Sequence, residues 1–326
     1  MTKRFVKNSI YAISMLLIAI YRIVVSKGLF SGLNPLQSDT AWSVVVQCGL
    51  MGVVPFLLYF FYLKINKDKH ALKTISKEFG YNSLPDKKSW VLIFFISIFS
   101  TFLVTCISNV WYNLIVAMGY TPSISSQLKY DGVGVLFADI ALTAMLPAIF
   151  EEFTNRGLFY SANDNARFPT FAIFSSALMF ALMHTNVTQV FYTFVFGLIT
   201  GALVYTTKSI YPAMFCHFVN NFVAVMKSYE RQSGRGLVFL NKVYDYLLGT
   251  TAGGIISIIM FIIVAFVVFI LFLKTSVIES EKRIRKGTEV LFVKEDYGRF
   301  DKAPVYLAIT MNLLITIFTF VWGVMR

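Results

Sequence analysis

Nine apolar stretches, each near the roughly 20 residues that an α-helix needs to cross about 30 Å of hydrocarbon, dominate this sequence. They lie at about 9–25, 41–63, 90–118, 133–160, 168–185, 187–206, 210–226, 253–273 and 304–325. The fold expected from them is all-α, a polytopic transmembrane helical bundle of about nine spans. Composition agrees, since only 14% of the 326 residues are charged, against about a quarter in soluble domains. A disordered chain, a collagen-like repeat and a disulfide-stapled module are excluded on the same ground. The first stretch follows Lys3, Arg4 and Lys7 as a secretory signal would, but Arg22 interrupts it and no small-residue cleavage site follows. It is read as a membrane helix.

The chain is nonetheless basic, with a formal net charge of +12. Placing the N-terminus in the cytoplasm puts 20 of the 29 Lys and Arg on the inner side and seven on the outer. That bias is what the positive-inside rule predicts. The excess then faces the cytoplasm and anionic lipid headgroups, which removes any reason to invoke nucleic acid as a partner. Three regions are expected: N-terminal membrane helices over 1–129, a core over 130–226, and C-terminal helices with a basic cytoplasmic loop over 227–326. Cys48, Cys106 and Cys216 are odd in number, lie in apolar spans and form no CxxC, so neither a disulfide framework nor a thiolate metal site is expected.

Against so apolar a background, charge inside a span is informative. Five such residues remain once the loops are set aside: Arg22, Asp139, Glu151, Glu152 and Arg156. A charge at the centre of a membrane helix costs about 2.5–3.5 kcal/mol on insertion scales, so such groups face a protein interior or a wet cavity and mark functional sites. Three of the five fall in Phe150-Glu-Glu-Phe-Thr-Asn-Arg156. Arg22 is expected to snorkel to an interface, and Asp139 to form a second polar wall.

His70 sits in a Lys-rich loop and reads as a solvated surface residue, whereas His184 and His217 are embedded in aromatic-rich apolar stretches. If spans four and five form a hairpin turning near 163–167, Glu151 and His184 both lie some 20–25 Å from the turn, at about 1.5 Å per residue. His217 counts out shallower, at about 12 Å. Spacing then separates the carboxylates. Glu152 and Arg156 are four apart and share a helix face, so they can pair. Glu151 points elsewhere and stays available to activate water. His217 and Asn221 share a face, as do Phe180 and His184, giving a set able to activate water against a carbonyl and stabilise the oxyanion. Gly197 and Gly201 form a small-xxx-small pair, which predicts a close helix contact beside the site.

Glu151-Glu152-x-x-x-Arg156, Phe180-x-x-x-His184 and His217-x-x-x-Asn221 follow one another on consecutive apolar stretches. In that order they resemble the motifs of the CAAX protease and bacteriocin-processing family, or Abi family, of intramembrane proteases, which includes the type II CAAX prenyl endopeptidases. The resemblance covers roughly residues 130–226. It implies a helical intramembrane endopeptidase in which the residue matching Glu151 activates the water. The positions matching His184, His217 and Asn221 complete the site and hold the oxyanion, and Glu152 and Arg156 support it.

Two His and a Glu are ligand types of a catalytic zinc site, yet HExxH is absent and Asn221 stands where a fourth ligand would. A metal-dependent and a metal-free mechanism both stay open, the second preferred because Glu151 cannot readily be both ligand and base. The expected substrate is a membrane-associated peptide, prenylated or of leader type, and the expected location is a bacterial plasma membrane. A catalytically silent scaffold or immunity protein on the same fold is the alternative. A proton-coupled transporter ranks third, since no corresponding pair of interrupted helices is found.

Overall fold

The computed structural model describes residues 2–26, 43–121, 129–164, 169–287, 298 and 300–325. Its regular elements are all helical, with no strand among the described residues. In chain order they are α1 (Lys3–Ser26), α2 (Ser43–Val53 as a π-helix, then Val54–Ile65), α3 (Ala71–Glu78), α4 (Lys87–Ala117) and α5. The last of these runs over Val133–Asn163 and is π-helical at Ile140–Met145 and Phe153–Tyr160. Then come α6 (Pro169–Leu182), α7 (Val187–Thr207), α8 (Tyr211–Ser233), α9 (Val238–Gly249), α10 (Thr251–Arg285) and α11 (Ala303–Val324).

Local chemistry sets the helix ends. Asp86 caps α4 by accepting from the Lys88 amide, Asn186 caps α7 by accepting from Thr188, and Thr250 accepts from Gly253 at the start of α10. Proline stands in the first turn of α8 and α11, where its missing N–H is not needed. Gly234 ends α8 in the left-handed conformation.

Seven described helices are long and apolar enough to cross a membrane: α1, α2, α4, α5, α7, α10 and α11. The chain is a polytopic helical bundle. Two of the nine expected stretches differ from these seven. In α6 the helix has 14 residues, or about 21 Å, because it stops before His184. α8 has 23 residues, enough in length, but His217, Asn220, Asn221 and Lys227 make it polar. The turn expected near 163–167 lies mostly outside the described residues, as does the Arg22 side chain.

Contacts divide the bundle into two ends. At one, Glu78 pairs with Lys7 at 2.6 Å and Lys3 at 3.0 Å. Asn8 accepts from Asn163 at 2.9 Å and donates to the Asp301 carbonyl, Lys208 reaches Asp164 at 3.5 Å, and Glu279 accepts from the Asp86 amide. At the other, Trp111 donates to the Val187 carbonyl at 2.6 Å, Tyr130 packs edge-on against Tyr229, and Arg231 pairs with Asp245. Helix α8 runs between them: Tyr211 at its start donates to the Tyr81 carbonyl, and Tyr229 lies near its close.

The first end carries an acid-sensitive latch. Burial alone would raise the Glu78 carboxyl, but the charge of Lys7 and hydrogen bonds from Lys7, Tyr59 and Lys3 outweigh it and hold it below the usual carboxylate range. A carboxyl lowered on folding adds stability above its unfolded value, and that stability is lost as pH falls through the folded one. Below about pH 4.5, the wild type is therefore expected to lose thermal stability more steeply than Glu78→Gln. Parallel melting curves across pH would refute the latch.

Helices α6 and α7 pack face to face with little room between them. A Cβ on Gly197 would lie 2.8 Å from Ala177 Cα, and one on Gly201 would lie 3.3 Å from Ile173 Cγ2. The expected close contact is present. Gly197→Leu is expected to cost about 1–3 kcal/mol of stability by overpacking this seam, seen as a lower melting temperature in detergent. An unchanged melt would mean that the seam is slack.

Candidate active site

The site is built where α5 meets α2, α7 and α8. Glu151 and Glu152 close the α-helical part of α5 at Leu146–Glu152, and the π-helical turn that follows carries Arg156. Every residue of Phe153–Tyr160 is buried, which is the setting in which irregular helical backbone is tolerated at membrane depth. Pro147, buried in the preceding turn, removes one backbone donor from the same helix.

Glu152 and Arg156 form the expected pair, with Nη1 3.0 Å from Oε1 and both side chains fully enclosed. Arg156 does more than neutralise the carboxylate. Its Nη2 donates to the Gly197 carbonyl at 3.1 Å and to Thr200 Oγ1 at 2.5 Å, and its guanidinium lies 4.5 Å from the centre of the Phe180 ring. A side chain from α5 therefore ties α6 and α7 into the site. Gly197 serves twice, as the close contact on Ala177 and as an acceptor for Arg156.

His217, from α8, bridges the two carboxylates. Its Nδ1 lies 2.9 Å from Glu152 Oε1 and its Nε2 lies 4.0 Å from Glu151 Oε2. A carboxylate can only accept, so Nδ1 carries the hydrogen and donates it to Glu152. In the neutral ring this leaves Nε2 as an acceptor facing Glu151. The shallower level counted for His217 from its position in the chain is not what the structure shows, since direct contact puts it level with the carboxylates. Phe180 and Phe196 enclose the imidazole edge-on, with ring centres 5.5 Å and 5.4 Å away.

Glu151, read from its spacing as the carboxylate left free, has a partner after all. Gln47 of α2 donates from Nε2 to Glu151 Oε1 at 2.7 Å. Asn155 donates to the Glu151 carbonyl and accepts from Tyr11 at 2.8 Å, extending the network to α1. Gln47 and Tyr11 escaped the sequence reading because a neutral polar side chain in an apolar run carries no charge to betray it.

His184 lies just past the end of α6 rather than within a helix. The chain turns there, with Thr185 in the left-handed region at φ 46° and Asn186 starting the next helix. Its Nδ1 lies 2.8 Å from the Phe180 carbonyl, and its ring meets Phe180 edge-on at 5.2 Å. Phe180 thus stands between the two imidazoles. Asn221 is half-buried and donates to the Thr143 carbonyl at 3.2 Å, while Thr143 Oγ1 donates to Asp139 at 2.6 Å. Asp139 also accepts from Tyr130. These groups form a polar row along α5 and α8. His70 is exposed in its loop, as expected.

The chemistry of the donor set can be tested for zinc. His217 Nε2 and Glu151 Oε2 face one another at 4.0 Å, but no group of three His, Cys, Asp or Glu side chains among the described residues is disposed to hold a metal. A catalytic zinc site takes three protein ligands at about 2.0–2.3 Å, so the side chains as placed do not fit one.

Residues 134–223 match a family model described as type II CAAX prenyl endopeptidase Rce1-like. The match agrees with the resemblance carried by the three motifs, and Glu151, Glu152, Arg156, His184, His217 and Asn221 all fall within it. No curated protein and no solved structure matches the chain.

Proposed function

From a segment at 134–223 that matches the type II CAAX prenyl endopeptidase Rce1-like model, we propose that this integral membrane protein is an endopeptidase that uses Glu151 to activate water inside the bilayer. The observation that carries the reading is the facing of Glu151 Oε2 and His217 Nε2 at 4.0 Å. Both atoms accept hydrogen bonds. A water between them donates its two hydrogens and presents a lone pair to a scissile carbonyl.

As that water attacks, its proton passes to Glu151 and the carbonyl becomes a tetrahedral oxyanion. Asn221 is assigned to the oxyanion through its amide, and His184 through the Nδ1–H that otherwise donates to the Phe180 carbonyl, released when the ring turns on substrate entry. Glu151 then returns the proton to the leaving amine as the C–N bond breaks, so water is consumed and two peptides form. Glu152 keeps His217 in the tautomer that accepts at Nε2, and Arg156 holds Glu152 in place.

The substrate class we infer is a membrane-associated peptide, prenylated or of leader type, reached from the cytoplasmic side. The N-terminus lies in the cytoplasm in this reading, and all nine apolar stretches cross or enter a bacterial plasma membrane. The core over 130–226 carries the chemistry, flanked by the helices of 1–129 and 227–326. Lipid headgroups meet the Lys-rich end that holds Lys3, Lys7 and Lys208. Comparing the membrane peptidome of cells carrying the wild type with that of cells carrying Glu151→Ala tests the reading. Peptides that accumulate uncut only in the variant are expected. Identical peptidomes, with both proteins folded at equal levels, would favour a silent scaffold or immunity protein on this fold.

A further inference from the structure

We propose that Gln47 is a positioning residue for Glu151, supplied by a helix outside the segment that matches the family model; the inference rests on the protease reading of Glu151. Three observations converge on it.

The first is placement. Gln47 lies in the π-helical half of α2, Ser43–Val53, which is seated on α5 on both sides of the carboxylate. A Cβ on Gly52 would lie 2.5 Å from Phe150 Cδ1, and Thr154 Oγ1 donates to the Met51 carbonyl. Phe150 and Thr154 bracket Glu151 in sequence, so the α2 backbone cannot shift without moving the helix that carries the carboxylate.

The second is chemistry. Gln47 Nε2 reaches Oε1 at 2.7 Å, whereas Oε2 faces His217. A free carboxylate has two equivalent oxygens and a broad torsion about its last bond. The amide removes that equivalence by fixing one oxygen, which leaves the other aimed at the place where water must sit.

The third is cost. Gln47 is 7% exposed, and its Oε1 has no hydrogen-bond partner among the described residues. A buried acceptor left unpaired costs about 1–3 kcal/mol, and an aliphatic residue would suit an apolar helix better. The amide is therefore poorly explained by packing and well explained by what its other end does to Glu151.

The test uses the full chain purified in detergent, with a fluorogenic farnesylated CAAX peptide as probe. Gln47→Met keeps the length and removes the donor. It is expected to lower kcat about 10- to 100-fold with KM little changed, because the loss lies in orienting the base and not in holding the peptide. Gln47→Glu, the closer match in shape, is expected to fall further, since it sets an acceptor against an acceptor. A packing role would reverse that order.

A second measurement does not depend on turnover. The infrared carboxyl band of Glu151, identified by its loss in Glu151→Ala, is expected to shift in Gln47→Met. If cleavage depends on Glu151 while Gln47→Met keeps the wild-type kcat, the positioning role is overturned and the protease reading stands. If no Glu151-dependent cleavage of any peptide is found, the protease reading fails, and an unmoved band then overturns the Gln47 contact as well.

Discussion

Glu151→Gln is expected to reduce peptide cleavage by about 10²–10⁴-fold, the contribution of a positioned general base, while leaving the helical bundle intact. The substitution preserves length and volume. Its side-chain oxygen can still accept from Gln47, which now donates to Oε1 at 2.7 Å. What disappears is the second acceptor facing His217 Nε2 and the basicity needed to take a proton from water. Glu151→Ala should lose at least as much, and it opens a gap beside Gln47 as well. The measurement is turnover of a quenched farnesylated peptide by purified protein, with circular dichroism and thermal melting as controls on folding. Cleavage at the wild-type rate by folded Glu151→Gln would remove Glu151 from the chemistry altogether.

The second large effect is expected on stability. Arg156→Met should cost about 3–5 kcal/mol, the usual penalty for removing one partner of a buried ion pair. The pair itself is not generously satisfied. Glu152 Oε2 and Arg156 Nε find no hydrogen-bond partner among the described residues, so the intact pair adds little net stability. Its removal is costly because Glu152 would remain enclosed with His217 as its remaining polar partner. The same change deletes the donors to Gly197 and Thr200 and the cation over Phe180. Arg156→Met combined with Glu152→Gln should recover part of the loss, because no charge is then stranded. Unfolding monitored in mixed micelles reads both variants. A double variant less stable than the single would show that the buried charge is not what governs the cost.

Much of this site was legible in the sequence because charge is scarce there. Glu152 and Arg156 announce themselves as a pair by spacing alone, and 3.0 Å is what the structure gives. His217 was also visible, though its depth was not. Counting residues from a turn treats every helix as starting at the same level, which fails when one start is recessed. His184 was placed within a helix because Phe180-Ala-Leu-Met-His184 is uniformly apolar up to the imidazole. The break after Leu182 follows from Thr185 and Asn186, whose turn and capping roles are weak signals in so hydrophobic a run. Gln47 left no trace at all. It lies about a hundred positions before Glu151, is neutral, and belongs to a helix whose pattern only says that it is apolar. Contacts between distant segments are what one sequence without periodic or charged markers does not encode legibly.

The π-helical turns carry a last consequence, which concerns heredity and not energy. Ser43–Val53 and Phe153–Tyr160 meet where Thr154 donates to the Met51 carbonyl. A π-turn holds about one residue more than an α-turn, so losing a single residue from either stretch would let it relax into an ordinary helix. The helix on either side would keep its facing, because the residue removed is the one the wide turn had absorbed. The pair at the second stretch would survive such a loss as well, since Glu152 and Arg156 would stand three apart in place of four and still share a face. In the α-helical parts of the chain the same loss turns everything beyond it by about 100° around the axis. Descent should therefore allow a change of length in these two stretches more readily than in the rest of the bundle.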